Sequence, residues 1–198
     1  MKGWWLVCVL FVGGCANSPP KNTDDICKIF DEKRGWYKDA KKAARKWDTD
    51  IAILMAFIRR ESGFYAKAKP PRTKILWIFP GPRLSDAYGY AQAKDATWAW
   101  YEKEEGGIFA SRDDFADATD FVGWYNKQSA KMCKISTHDP YNLYLAYHEG
   151  QGGFNRGTHK NKQHVKRYAK EVASRTWRYQ AQLKTCEKRL NKRGWFLF

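Results

Sequence analysis

The sequence predicts an all-α domain, α-dominated, with room for one small β-hairpin or loop insertion. Three observations predict it. Apolar residues recur at helical spacing, most clearly Ile51, Leu54, Met55 and Ile58, which puts them on one buried face. Start and stop signals bracket such stretches, as where Asp139-Pro140 precedes an aromatic run and Gly150 follows it. No internal repeat and no series of alternating strand-like segments is present. A length of 198 residues suits one domain plus appendages.

Asp24 to Trp47 is expected as one or two helices interrupted near Gly35. Asp48 or Thr49 is expected to cap the next helix, which runs through Ile51–Ile58 to Arg59, Arg60 and Glu61 and stops at Gly63. Residues 66–88 break the pattern. Pro70, Pro71, Pro80, Gly81 and Pro82 surround the apolar run Ile75 to Phe79, so a loop or short hairpin is expected there. Helix resumes from about Ala93 to Glu105. Ser111 with Asp114 has the form of a capping box, ahead of a face made by Phe115, Ala118, Val122 and Tyr125. Tyr141 to His148 is aromatic nearly all round and therefore expected to be central, with Gly150, Gly152 and Gly153 ending it. The last helix is expected from about Lys162 to Leu190, with Val165, Tyr168, Val172, Tyr179 and Leu183 on one side.

Thirty-six Lys and Arg against 21 Asp and Glu give a formal net charge of +15. That excess attracts an anionic partner, whether nucleic acid, membrane surface or acidic polymer. The N-terminus narrows the choice. Lys2 followed by the apolar run Trp4–Val12 is too short to span a bilayer and has the form of a secretory signal. Val12-Gly13-Gly14-Cys15 resembles the lipobox of bacterial lipoproteins, which implies a signal peptide over 1–14, a lipidated Cys15 and a tether over 15–23 ahead of a domain at 24–192. Ala16 after that cysteine implies, by the same resemblance, an outer-membrane anchor facing the periplasm. Nucleic acid is then excluded as the partner. In an oxidising compartment Cys27, Cys133 and Cys186 remain. A Cys27–Cys186 bridge with Cys133 free is expected, although three cysteines leave the connectivity open.

Glu61 closes an apolar helix, and burial against such a wall raises a carboxyl pKa because the ionised form loses hydration. An acid still protonated near neutral pH is what glycosidic cleavage requires. Three further segments carry groups that can line a groove. Tyr88-Gly89-Tyr90-Ala91-Gln92 offers close backbone approach and an amide. Ala146-Tyr147-His148-Glu149-Gly150-Gln151-Gly152 joins an aromatic helix to a flexible turn. Tyr168 lies on the inner face of the last helix. His138, His159 and His164 are scattered without ligand spacing, so neither a metal nor a cofactor is expected.

In this order, Glu61-Ser62 with Phe64, Gly89-Tyr90-Ala91-Gln92, Ala146 to Gly152 and Tyr168 resemble the motifs of lytic transglycosylases of the soluble-lytic-transglycosylase catalytic-domain type. The family's usual Asn after the motif tyrosine is His148 here, Leu-Met is replaced by Tyr90-Ala91, and the 66–88 insertion is long. The resemblance implies a goose-type, lysozyme-like fold and cleavage of the MurNAc–GlcNAc β-1,4 bond of peptidoglycan to 1,6-anhydro ends. It implies Glu61 as single acid/base and substrate contacts from Ser62, Phe64, Tyr88, Tyr90, Gln92, Tyr147, His148, Glu149, Gln151 and Tyr168. Two alternatives stay open: a hydrolytic muramidase, with Glu149 as a second carboxylate, and a non-catalytic wall-binding lipoprotein. Expected partners are glycan strands, a membrane through the N-terminal lipid, and a cell-envelope protein at the 66–88 insertion.

Overall fold

A computed structural model describes residues 18–75 and 78–193. The expected signal peptide and Cys15 lie outside the described residues. The described chain forms eight α-helices and one two-stranded sheet, an all-α, lysozyme-like architecture. No helix among the described residues is long and apolar enough to cross a membrane.

The first helical region divides as expected. α1 (Ile26–Glu32) starts at Asp25, whose carboxylate accepts from the Cys27 and Lys28 amides. α2 (Trp36–Trp47) ends where Asp48 turns left-handed at φ 53°. Asp48 is thus a stop rather than the expected cap of the next helix. That helix, α3 (Ile51–Glu61), takes Asp50 as its first flanking residue. Thr49 turns its hydroxyl instead to the Thr137 carbonyl at 3.0 Å.

Every residue of α3 from Ile51 to Ile58 is buried, because α2, α5 and α8 surround it. An element apolar on all sides is stable only at a domain centre. Around it run α4 (Asp95–Tyr101), continued by one π-turn at Glu102–Gly106, then α5 (Phe115–Cys133), α6 (Pro140–Glu149), α7 (Gln151–Asn155) and α8 (Gln163–Arg193). α2 and α5 pack closely at Gly123, where an added Cβ would meet the Trp47 ring at 2.5 Å. Asp120 of α5 ties the same neighbourhood together, accepting from the Trp47 indole at 2.8 Å, the Tyr101 hydroxyl at 2.8 Å and Lys46 at 3.0 Å.

Two further helix boundaries differ from expectation. Asp114, not Ser111, caps α5, accepting from the Asp117 amide at 3.0 Å, while Asp117 reaches back to the Ser111 amide at 2.8 Å. The capping pair is therefore displaced by three residues. Gly152 and Gly153 do not end the aromatic helix but lie inside α7, after Gly150 at φ 72° breaks the chain direction. The proline-rich insertion forms the hairpin β1 (Arg72–Ile75) and β2 (Phe79–Arg83), antiparallel, with Arg72 opposite Arg83 and Ile75 opposite Phe79.

Cys27 and Cys186 are bonded and Cys133 is free. The bridge ties α1 to α8 across a sequence separation of 159 residues. Closing so long a loop constrains the unfolded chain by about 5 kcal/mol. The Cys27→Ser/Cys186→Ser double variant is therefore expected to melt roughly 10 °C below the wild type in calorimetry. An unchanged melting temperature would mean that the bridge constrains nothing that folding must order.

Candidate active site

Glu61 is the last residue of α3, and the turn that follows fixes it. Ser62 bonds its hydroxyl back to the Ile58 carbonyl at 3.2 Å, so it closes the helix and does not line the cleft. Gly63 and Phe64 both take positive φ, 62° and 68°. This reversal drives the Phe64 ring into the core, where it is fully buried against Trp36 at 5.6 Å. A bulky residue rarely accepts that backbone, and apolar burial holds it there. Phe64 is an anchor for the turn, not a substrate contact.

The carboxyl of Glu61 opens into a cleft of about 790 Å³. Tyr147, His148, Glu149 and Gly150 form one wall, and Gln92, Ala93, Lys94 and Thr97 another. Phe121 and Tyr125 reach it from α5, and Pro70, Leu84, Ser85 and Ala87 from the stems of the hairpin. Apart from that opening Glu61 is enclosed by packed protein. Loss of hydration pushes its pKa from an ordinary 4.5 up to about 7, against a hydrogen bond from Tyr144 and the positive field of Arg60. Glu61 is thus poised to hold or release a proton near neutral pH.

Tyr144 was not foreseen. It sits one turn before Tyr147 on α6, the two rings stacked at 6.4 Å with 17° between planes, and Phe57 meets both edge-on. Burial raises the pKa of both phenols, and the neighbouring Glu61 charge raises it further. They remain neutral donors. The i, i+3 spacing of Tyr144 and Tyr147 was the available signal. Tyr168, expected as a substrate contact, instead covers the Arg60 guanidinium at 3.6 Å and does not line the cleft.

The segment around Gly89 is held mostly by backbone bonds. Tyr88 and Ala93 form a bridge, Gly89 donates to the Ala68 carbonyl at 3.0 Å, and Tyr90 donates to Arg112 at 3.0 Å. At φ 81°, an added Cβ on Gly89 would fall 2.1 Å from the Arg112 oxygen, so only glycine fits. Gln92 lines the cleft, but its amide nitrogen is spent on the Ala68 and Gly89 carbonyls at 3.0 and 2.9 Å. Tyr147 donates to the Ala91 carbonyl at 2.5 Å, tying α6 to this loop.

Three other expected contacts are structural. Tyr90 is buried between Trp36 and Phe115. Gln151 is buried, accepting from Tyr125 at 3.2 Å and donating to Ser129 at 3.1 Å. Tyr88 donates to Asp113 at 3.2 Å and faces a separate shallow depression. Aromatic and amide side chains next to a motif serve a core as readily as a sugar.

Glu149 is expected as a substrate contact and, in the hydrolytic alternative, as a second carboxylate. Its side chain is only 3% exposed, at the cleft wall. Burial alone would raise its pKa. Bonds from Lys162 at 2.9 Å, from Thr158, and with His148 at 3.2 Å outweigh that and bring it to about 2. One cleft thus holds a carboxyl that titrates near neutrality and a carboxylate that stays ionised. Among the described residues no group of His, Cys, Asp and Glu is placed to hold a metal ion.

Comparison with curated proteins gives no match. The family model of the transglycosylase SLT domain matches residues 3–186, a span that includes Glu61, the loop at Gly89, the Tyr147 helix end and most of α8. With an all-α fold and a protonatable glutamate at the head of its cleft, the chain belongs to the transglycosylase SLT domain family.

Proposed function

We propose that the protein cleaves the MurNAc–GlcNAc β-1,4 bond of peptidoglycan without water, leaving 1,6-anhydroMurNAc ends, with Glu61 as the single acid and base. The observation that carries this reading is the Glu61 carboxyl, pushed up to about 7 at the head of the cleft. As an acid it gives its proton to the glycosidic oxygen while that bond breaks. Positive charge then develops at the anomeric carbon of the muramyl sugar, where the substrate's own acetamido oxygen stabilises it. As a carboxylate Glu61 next takes the proton of the muramyl 6-hydroxyl, whose oxygen bonds to the anomeric carbon. Glu61 ends protonated, ready for another cycle. Tyr144 favours the ionised form between the two steps, and a pKa close to ambient pH serves both directions of proton transfer.

Tyr147, His148 and Gln92 border the space for the sugars. The fixed hydroxyl of Tyr147 and the committed amide nitrogen of Gln92 limit them mainly to shaping that space and offering the Gln92 carbonyl. Glu149 supports a second reading, hydrolysis, because it stays ionised in the same cleft. Its bonds to Lys162, Thr158 and His148 occupy the lone pairs a general base would use, so the one-carboxylate route is preferred. A non-catalytic wall-binding role gives Glu61 no use. The Cys15 lipobox and Ala16 support a lipid anchor at the outer membrane, facing the periplasm, with the 66–88 hairpin available to an envelope protein.

Mass spectrometry of digested sacculi is expected to show anhydro-ended muropeptides; reducing ends would give the hydrolytic reading instead. Glu61→Gln is expected to lower turnover by at least about a hundredfold. It also separates chemistry from misfolding. The folded-state pKa of Glu61 lies above its unfolded value, so the buried charge costs nothing below about pH 4.5 and costs fully above about pH 7, roughly 3 kcal/mol. Glu61→Gln is therefore expected to melt several degrees higher than the wild type at pH 8 and about equally at pH 4. An inactive variant that melts lower at both values would mean lost structure.

The profile of kcat/KM is expected to fall as pH rises through about 7, where free Glu61 loses its proton. Tyr144→Phe removes a bond that favours the carboxylate, so this limb should move to higher pH. A limb that stays in place would remove Tyr144 from the control of Glu61.

A further inference from the structure

A second cavity, of about 260 Å³, shares no lining residue with the cleft. α3 contributes Ala56, Arg59 and Arg60 to it, and α8 contributes Glu171, Val172 and Arg175. It continues along α8 into a shallower depression of about 320 Å³ that shares Glu171 and Arg175 and adds Arg167, Lys170 and Arg178. Six cationic side chains therefore line one groove, against the carboxylates of Glu171 and of Asp24, which Arg175 holds at 2.5 Å.

The internal pairing of these groups is incomplete. Arg60 reaches Glu171 at 3.4 Å, and Glu171 also faces Arg167 at 3.9 Å. The Arg59 Nε is buried and has no hydrogen-bond partner. A buried guanidinium nitrogen left unbonded costs stability that an anionic ligand would return. Guanidinium forks match planar carboxylates in bidentate fashion, and an elongated track with spaced cations suits a chain bearing several such groups better than one small ion.

We infer that the α3–α8 groove is a subsite for the carboxylates of the peptide stem that peptidoglycan carries on its muramyl sugar. The inference rests on the peptidoglycan reading above. The groove also begins next to the cleft along α3, since Arg60 lines the groove and the next residue, Glu61, lines the cleft. A stem leaving the sugar beside the cleaved bond has its acidic groups close to that helix end. Glu171 and Asp24, at the groove's edge, offer a counterpart for an amino group on the same stem. The groove would thus select strands that still carry peptide.

Two measurements on the full chain test this. The first compares kcat/KM on glycan strands with intact stems and on strands stripped of them by an amidase. Wild type is expected to favour stem-bearing strands. Arg59→Gln is expected to raise KM on those strands about tenfold or more, with kcat and the stripped-strand reaction unchanged. Lys170→Gln/Arg178→Gln, at exposed positions, is expected to act in the same direction and guards against a fold defect at Arg59. The second titrates a free acidic stem tetrapeptide calorimetrically against wild type and both variants, in parallel with inorganic phosphate and anionic phospholipid vesicles. Binding of the tetrapeptide, weakened by both variants, supports the subsite even if no strand is cleaved; loss of cleavage alone would sink the catalytic reading instead. No tetrapeptide binding, variants that leave it unchanged, or phosphate or vesicles bound in its place at the same residues would each overturn the inference.

Discussion

Withdrawal of one carboxyl group from water is the constraint around which the rest of the structure is arranged. Glu61 can titrate near neutrality only while protein, rather than solvent, encloses it on every side but the cleft. α3 supplies the enclosure by being apolar throughout Ile51–Ile58 and therefore lodged at the centre of the domain. The turn after it holds the position, because Phe64 takes a strained backbone to bury its ring. A charge withheld from water weakens the fold whenever Glu61 ionises. The apolar core carries that weakness, as expected of a group kept for chemistry rather than stability.

Glu149 shows what a carboxylate at the cleft wall becomes when partners offset its burial. It too closes a helix and lines the cleft, yet Lys162, Thr158 and His148 bond to it and keep it ionised. Glu61 has a single phenolic donor and a nearby guanidinium field. The stronger desolvation of Glu61 and the three bonds to Glu149 together separate the two protonation states. The bonds to Glu149 also join α6 to the chain entering α8, so this carboxylate holds one wall of the cleft in place.

The parts of this arrangement legible in the sequence were those written in local spacing. Helical periodicity located α3, α5, α6 and α8, and the position of Glu61 at the end of an apolar run gave its burial. Asp139-Pro140 marked the start of α6 because both residues act within one turn. Long-range choices were not legible. Phe64, Tyr90 and Gln151 lie beside motif residues, and nothing local tells a ring or amide facing sugar from one facing core; the positive φ of Phe64 is imposed by tertiary packing. Nothing in helical phase alone singles out Tyr144 over the expected Tyr168 to face Glu61. The docking of α6 against α3 decided for Tyr144, while Arg60 drew Tyr168 to itself.

That outcome changes what the segment Gly89-Tyr90-Ala91-Gln92 is for. Gly89 is required by the Arg112 carbonyl, Tyr90 fills the core, Ala91 offers its carbonyl to Tyr147, and Gln92 clasps two backbone oxygens. Three of the four act through main-chain geometry or packing, and their combined effect is to hold the Tyr147 hydroxyl in place. Tyr147 stacks on Tyr144, and Tyr144 bonds to Glu61. The segment therefore reaches the acid through two tyrosines. Tyr90 and Ala91 can differ from the family's usual Leu-Met because a buried ring and a main-chain carbonyl meet those requirements. Gly89 has no such freedom, since a side chain there would occupy the space of the Arg112 oxygen and unseat the loop on which Tyr147 rests.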